Sequence, residues 1–170
     1  MVERKILLDE LELEYEGLFD SKELFGILDE FFNLKGYDKF EVLNMEQVMK
    51  NGKELRLKID YKKWHTEYVR KDVLVEIVMQ RLKEVEAKID GSKVNINQGS
   101  LKMLFTGTLE TDYEGRWEYN PVYFFLRTIF DKYVYRSQRK DFESEIISDV
   151  NEVMGKLGSF INLYRYKVKI

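Results

Sequence analysis

The chain has 170 residues, 44% of them hydrophobic and 14% aromatic, enough to bury a sizeable core in one domain covering residues 1–170. Its 28 basic and 31 acidic side chains leave a net charge of −3, which argues against the unopposed cationic surface that a phosphate backbone requires, so no nucleic-acid partner is expected. The absence of Cys excludes disulfides, thiolate metal sites and Cys nucleophiles.

The first segment, Ile6 to Gly17, alternates Leu7, Asp9, Leu11, Leu13 and Tyr15 against Leu8, Glu10, Glu12, Glu14 and Glu16. A period of two predicts a strand with one wet face. Asp20-Ser21 can cap a helix from Lys22 to about Lys35, with Leu24, Ile27, Leu28, Phe31 and Phe32 on its buried side and Gly36 closing it. Two strands, Phe40 to Lys50 and Lys53 to Trp64, follow, joined by Asn51-Gly52, a dipeptide that accepts the positive φ of a tight hairpin turn.

Asp72 to Asp90 reads as a strand running into a second hairpin turn at Asp90-Gly91, with a bulge near Arg81 or Leu82 to account for a change of register. After that turn Val94 and Ile96 carry the inward phase, and Leu101, Met103, Phe105 and Leu109 carry the opposite parity, so a second bulge is expected at Gln98-Gly99. Bulges in neighbouring strands let a sheet curl. Asp112 to Gly115 turns the chain, and Asn120-Pro121 opens an aromatic helix to Tyr135.

From Gln138 to Tyr164, Phe142, Ile146, Val150, Val153, Met154, Leu157, Phe160, Ile161 and Tyr164 recur at steps of three and four, the stripe of an amphipathic helix. Asp141, Glu143, Glu145, Asp149, Asn151, Glu152 and Lys156 are assigned to its wet side. No run of about 18 apolar residues occurs, so a transmembrane segment is not expected and a cytoplasmic location is. The 35% charged residues, rich in Lys and Glu, fit a heat-adapted source.

This order of strand, short helix, antiparallel meander and long C-terminal helix resembles the START-like, or SRPBCC, helix-grip superfamily. The likeness rests on Ile6 to Gly17, Lys22 to Lys35, the two hairpins and Gln138 to Tyr164. It is a likeness of topology, and the chain departs by carrying the aromatic helix before its last one. The resemblance implies an α+β fold, a curved antiparallel sheet wrapped around the C-terminal helix, and an apolar pocket between them for a lipid or other hydrophobic small molecule.

Catalytic signatures are few. His65 is the only histidine, without a Gly-x-Ser-x-Gly elbow, and it reads more readily as a strand-end residue beside Trp64 than as a catalytic or metal-binding group. Gly155-Lys156-Leu157-Gly158-Ser159 lacks the spacing of a phosphate loop and suggests helix packing through small residues. No cofactor or metal is called for. Polar groups on inward phases are better candidates: Asp9, Glu76, Gln80 and Arg116, with a buried pair between Arg116 and Glu76 or Asp9 as one arrangement.

The pocket expected from the resemblance would be lined by Tyr61, Glu76, Phe105, Arg116, Tyr119, Phe125, Tyr133, Val150, Met154 and Leu157. The alternative is an interaction module with a filled core, dimerising or docking through the aromatic helix 121–135, which is apolar on most sides. A third reading, a cyclase- or hydratase-like enzyme, needs an inward acid or base such as Asp9 or Glu76.

Overall fold

A computed structural model describes residues 3–66, 68–89, 92–111 and 135–167. In chain order these form strand β1 (Glu3–Phe19), helix α1 (Ser21–Leu34), strands β2 (Asp38–Met49), β3 (Gly52–Trp64), β4 (Val69–Ile89) and β5 (Ser92–Thr111), and helix α2 (Tyr135–Lys167). The strands make one antiparallel sheet of order β1-β5-β4-β3-β2. The fold is α+β, as expected, with the C-terminal helix packed on β1, β5 and β4 and against α1. The turns at 90–91 and 112–115 and the aromatic helix 121–135, apart from Tyr135, lie outside the described residues.

Period-two patterning sets the inner face. Leu57, Ile59 and Tyr61 of β3, Val69, Val73, Val75, Ile77 and Met79 of β4, and Leu101, Met103, Phe105 and Leu109 of β5 are all buried. They meet Phe142, Ile146, Val150, Val153, Leu157, Phe160 and Ile161 of α2 and Leu24, Leu28, Phe31 and Phe32 of α1 in one apolar cluster. Burial of this kind stabilises a fold by about 25 cal/mol per Å² of apolar surface removed from water.

Helix α1 has the ends its sequence implies. The Asp20 carboxylate accepts from the Lys22 and Glu23 amides at 2.9 and 3.1 Å. At the other end Gly36 adopts φ +81°, its amide donates to the Asn33 carbonyl, and the Tyr37 amide donates to the Phe32 carbonyl. This paired closure is a Schellman motif, and its left-handed residue is the glycine.

The sheet is bent by bulges. Gln80 pairs with Ser100 and Lys83 with Gln98, so Arg81 and Leu82 together oppose Gly99, the bulge predicted near Arg81 or Leu82. The second bulge expected at Gln98-Gly99 is not formed, because the extra residue lies on β4 and β5 runs through Gln98, Gly99 and Ser100 in unbroken register with β1. Arg81 carries the strain at φ +56°. Glycines make room for it on both sides: a Cβ at Gly99 would lie 2.8 Å from the Gln80 carbonyl oxygen, and one at Gly52 would lie 2.8 Å from the Arg81 carbonyl carbon.

β1 departs from its predicted alternation. It carries one extra residue between Ile6 and Leu8 and another between Leu8 and Leu11, with Glu10 at φ +47°. These two irregularities shift the phase, and Asp9, expected on the inner face, is exposed. A second correction concerns α2: Asp149, assigned to the wet side, is only 2% exposed. It follows Ile146 by three residues and so falls on the buried stripe.

Candidate functional site

The residues expected to line a pocket divide into two groups. Phe105, Val150 and Leu157 are fully buried in the shared cluster, and Met154 lies partly buried at its margin. Tyr61 joins them, stacked on Phe32 with ring centroids 4.1 Å apart, its hydroxyl donating to Asp29 Oδ1 at 2.6 Å. Burial and that carboxylate push the Tyr61 phenol well above its usual range. These five side chains belong to, or pack against, the one apolar cluster. Glu76 does not join them: it lies between buried Val75 and Ile77, on the opposite face of β4, where Lys58 Nζ donates to it at 2.5 Å. Gln80 is likewise exposed. Arg116, Tyr119, Phe125 and Tyr133, and with them the expected pair between Arg116 and Glu76 or Asp9, lie outside the described residues.

Three clefts are lined by described residues. One of about 430 Å³ runs along Glu14, Tyr15, Val78, Gln80, Ser100 and Lys102; one of about 360 Å³ sits at the β4 bulge beside Gly17, Asn51, Arg81, Lys83 and Gly99; one of about 180 Å³ lies among Met45, Gln47, Glu54 and Arg56. None of the three is lined by α2. Among the described residues a Cβ at Gly155 or Gly158 would meet nothing within 4 Å, so the glycines of the Gly155-Lys156-Leu157-Gly158-Ser159 segment make no close helix packing with any of them.

The strongest polar constellation under α2 was missed by sequence reasoning. Lys71 is fully buried on β4, with its ammonium paired to Glu145 and 5.0 Å from the centroid of the Phe142 ring. Lys63 Nζ donates to the other Glu145 oxygen at 2.8 Å, and the His65 ring packs edge-on against Phe142 at 4.4 Å. One turn further along α2, Asp149 accepts from the buried Tyr37 hydroxyl at 3.0 Å and pairs with Lys35 at 3.1 Å.

Burial lowers the Lys71 ammonium from its ordinary value, and the Glu145 carboxylate only partly offsets it. Burial pushes Glu145 upward, but its two ammonium partners outweigh that and hold it at about 2. Burial also lowers His65, helped by Lys71 and Lys63. Lys71 is enclosed by Phe142 and α2, its pair with Glu145 ties the helix to β4, and the Lys63 pair with the same carboxylate ties it to β3. Its parity carried the signal: Lys71 stands two residues before Val73 on the inward phase, outside a strand predicted to begin at Asp72.

On the outer face Arg70 grips Asp72 through Nε at 2.9 Å and Nη2 at 3.1 Å and also pairs with Glu110, which Arg4 meets from β1. Burial raises Asp72 to about 6, because it outweighs the guanidinium. Among the described residues no group of three His, Asp or Glu is placed to hold a metal ion, and no helix is long and apolar enough to cross a membrane.

The other unusual surface is the edge strand β2. Every one of its residues, Asp38 to Met49, is exposed, including Phe40, Val42, Leu43, Met45, Val48 and Met49; Val48 reaches 78% and Val42 58%. Opposed residues of antiparallel strands share a face. Lys39, Glu41, Asn44 and Glu46 oppose Tyr61, Ile59, Leu57 and Leu55 and so point to the helix side, whereas Phe40, Leu43 and Met45 oppose Asp60, Lys58 and Arg56 and point away. Val42 is the extra residue that changes the phase between them. Trp64 extends the outer stripe, its ring 5.9 Å from Phe40. Among the described residues no strand pairs with the free side of β2. The opposite edge, β1, is blunted by its two irregularities and by exposed Glu10, Glu12, Glu14 and Glu16, the devices that keep strand edges from pairing.

No protein-family model matches the chain, and no curated protein matches it. The helix-grip resemblance therefore rests on topology.

Proposed function

We propose that this chain is a protein-interaction module that docks through the β2 edge. The observation that carries the reading is the exposure of six large apolar side chains on a strand whose outer hydrogen-bonding groups lack a strand partner among the described residues. Such an edge offers main-chain bonds for affinity and alternate side chains for specificity, the basis of β-strand addition. The apolar-cargo reading draws less support, because Tyr61, Phe105, Val150 and Leu157 are buried in the shared apolar cluster and none of the three clefts among the described residues is lined by α2.

A photo-crosslinking side chain placed at Leu43, with exposed Glu12 as the control site, tests this in cells expressing the chain. The reading expects a discrete adduct of defined mass from position 43 and none from position 12. Equal labelling from both positions, or none from position 43, overturns it.

A further inference from the structure

Resting on that docking role, we infer that the partner of β2 is β2 of a second copy, running antiparallel across a two-fold axis between Val42 and Leu43. In this register Lys39 faces Glu46 of the second copy, Phe40 faces Met45, Glu41 faces Asn44, and Val42 faces Leu43. Each pair is made twice, as an isologous contact requires.

Three features of the strand select this alignment. The first is face. The helix-side residues Lys39 and Glu41 meet helix-side Glu46 and Asn44, and outward Phe40 meets outward Met45. This match exists only because the extra residue Val42 shifts the phase between the two halves of β2; in a regular strand, residues five apart would point to opposite faces. The second is charge. The only cation between Asp38 and Met49 falls opposite Glu46 of the second copy, a cross-strand pair of opposite sign. The third is apolar complementarity, since Phe40 against Met45 places a thioether at an aromatic ring.

Neighbouring registers lose these features. Sliding by one residue opposes helix-side to outward side chains. Sliding by two one way sets Glu41 against Glu46, and the other way leaves Lys39 opposite Asn44 with no charge pair. In the single copy Lys39 pairs with Asp29 at 2.8 Å and Glu46 with Lys53 at 3.0 Å, so dimerisation adds to existing ion pairs or exchanges them. An interface built on one strand pair, about 33 Å long at roughly 3.3 Å per residue, belongs to the small class, and its dissociation constant is expected to be weaker than about 1 µM.

Because the native chain has no cysteine, introduced thiols report on register without background. Full-length Lys39→Cys and Glu46→Cys chains are mixed and oxidised gently, and the three disulfide products are quantified. The proposal expects the mixed 39–46 product to exceed each like-with-like product at least tenfold. A statistical mixture overturns it. Sedimentation equilibrium over increasing concentration should show a monomer–dimer equilibrium that Leu43→Lys weakens at least tenfold. Lys39→Glu and Glu46→Lys should each weaken it about fivefold, and the double swap should restore it to within twofold. A monomer at every concentration overturns the second copy as partner, and so does failure of the double swap to rescue.

The docking reading and this one can fail separately. A position-43 adduct with a foreign protein alone keeps the docking role and eliminates self-pairing, whereas an adduct of twice the chain mass supports both. Slow exchange of β2 amides in a persistent monomer would assign the edge to another segment of the same chain and eliminate self-pairing.

Discussion

The ion pair beneath α2 should respond unequally to loss of its two members. Lys71 is fully buried, and Glu145 is its only ion-pair partner among the described residues; Glu145 has a second partner in Lys63 and a side chain that is 37% exposed. Glu145→Gln therefore leaves an ammonium stranded in the core. Removing one member of a buried pair costs about 3–5 kcal/mol, and the lower end applies here because Asp149 acts on the same ammonium. Lys71→Met deletes the buried charge, keeps the aliphatic length and leaves Glu145 with Lys63, so the expected change is within about 1 kcal/mol in either direction. The double variant should resemble Lys71→Met, giving a coupling of about 2–3 kcal/mol.

Urea unfolding followed by far-UV circular dichroism resolves this. At a slope of about 2–3 kcal/mol per molar, Glu145→Gln lowers the midpoint by about 1 M, and the double variant recovers it. The pH dependence has a definite sign. With Lys71 lowered below 10.5, the unfolded chain binds more protons as pH rises toward 10.5, so stability increases there and the Glu145→Gln deficit shrinks. The reasoning is refuted if Lys71→Met costs as much as Glu145→Gln and the two add.

Two further outcomes follow from the packing and electrostatics. Asp72 is raised from 3.8 to about 6, so it favours the folded state fully below about pH 4 and loses that contribution as pH rises through 6. Asp72→Asn should be neutral at pH 4 and raise stability by about 1–3 kcal/mol at pH 8; equal effects at both values would contradict the assignment. At Gly107 a Cβ would lie 2.8 Å from Ile146 Cγ2, so Gly107→Ala should cost about 1–3 kcal/mol by pushing α2 from β5. Ile146→Leu, which lacks that methyl group, should recover part of the loss in the same unfolding assay, and no recovery would place the strain elsewhere.

Where a local rule fixes the backbone, the sequence was legible. Asp20 and Gly36 bound α1, and the parity change around Arg81 marks the bulge. The hairpin between β2 and β3 also forms, but its two turn residues are Lys50 and Asn51, while Gly52, at φ +130°, opens β3 opposite Met49. β1 was harder, because its irregularities use Leu7, Asp9 and Glu10, which carry no glycine signal, and Glu10 takes positive φ without one. Lys71 and Asp149 escaped notice because charged residues on apolar phases look like surface until their partners, more than 70 and 100 residues distant in sequence, are brought to them by the fold. The exposed β2 edge was illegible for a different reason. Its alternation resembles that of a half-buried strand, and only the pairing order places it outermost.

The most direct test of self-pairing through β2 is hydrogen exchange at β2 in the isolated chain at about a hundredfold above the dimer dissociation constant, compared with Leu43→Lys. In an antiparallel edge strand about every second amide points away from its neighbour and exchanges quickly unless another strand is bound there. The account predicts that these outward β2 amides exchange at least tenfold more slowly in the native chain than in Leu43→Lys, with β4 and β5 unchanged. Equally fast exchange in both would contradict it.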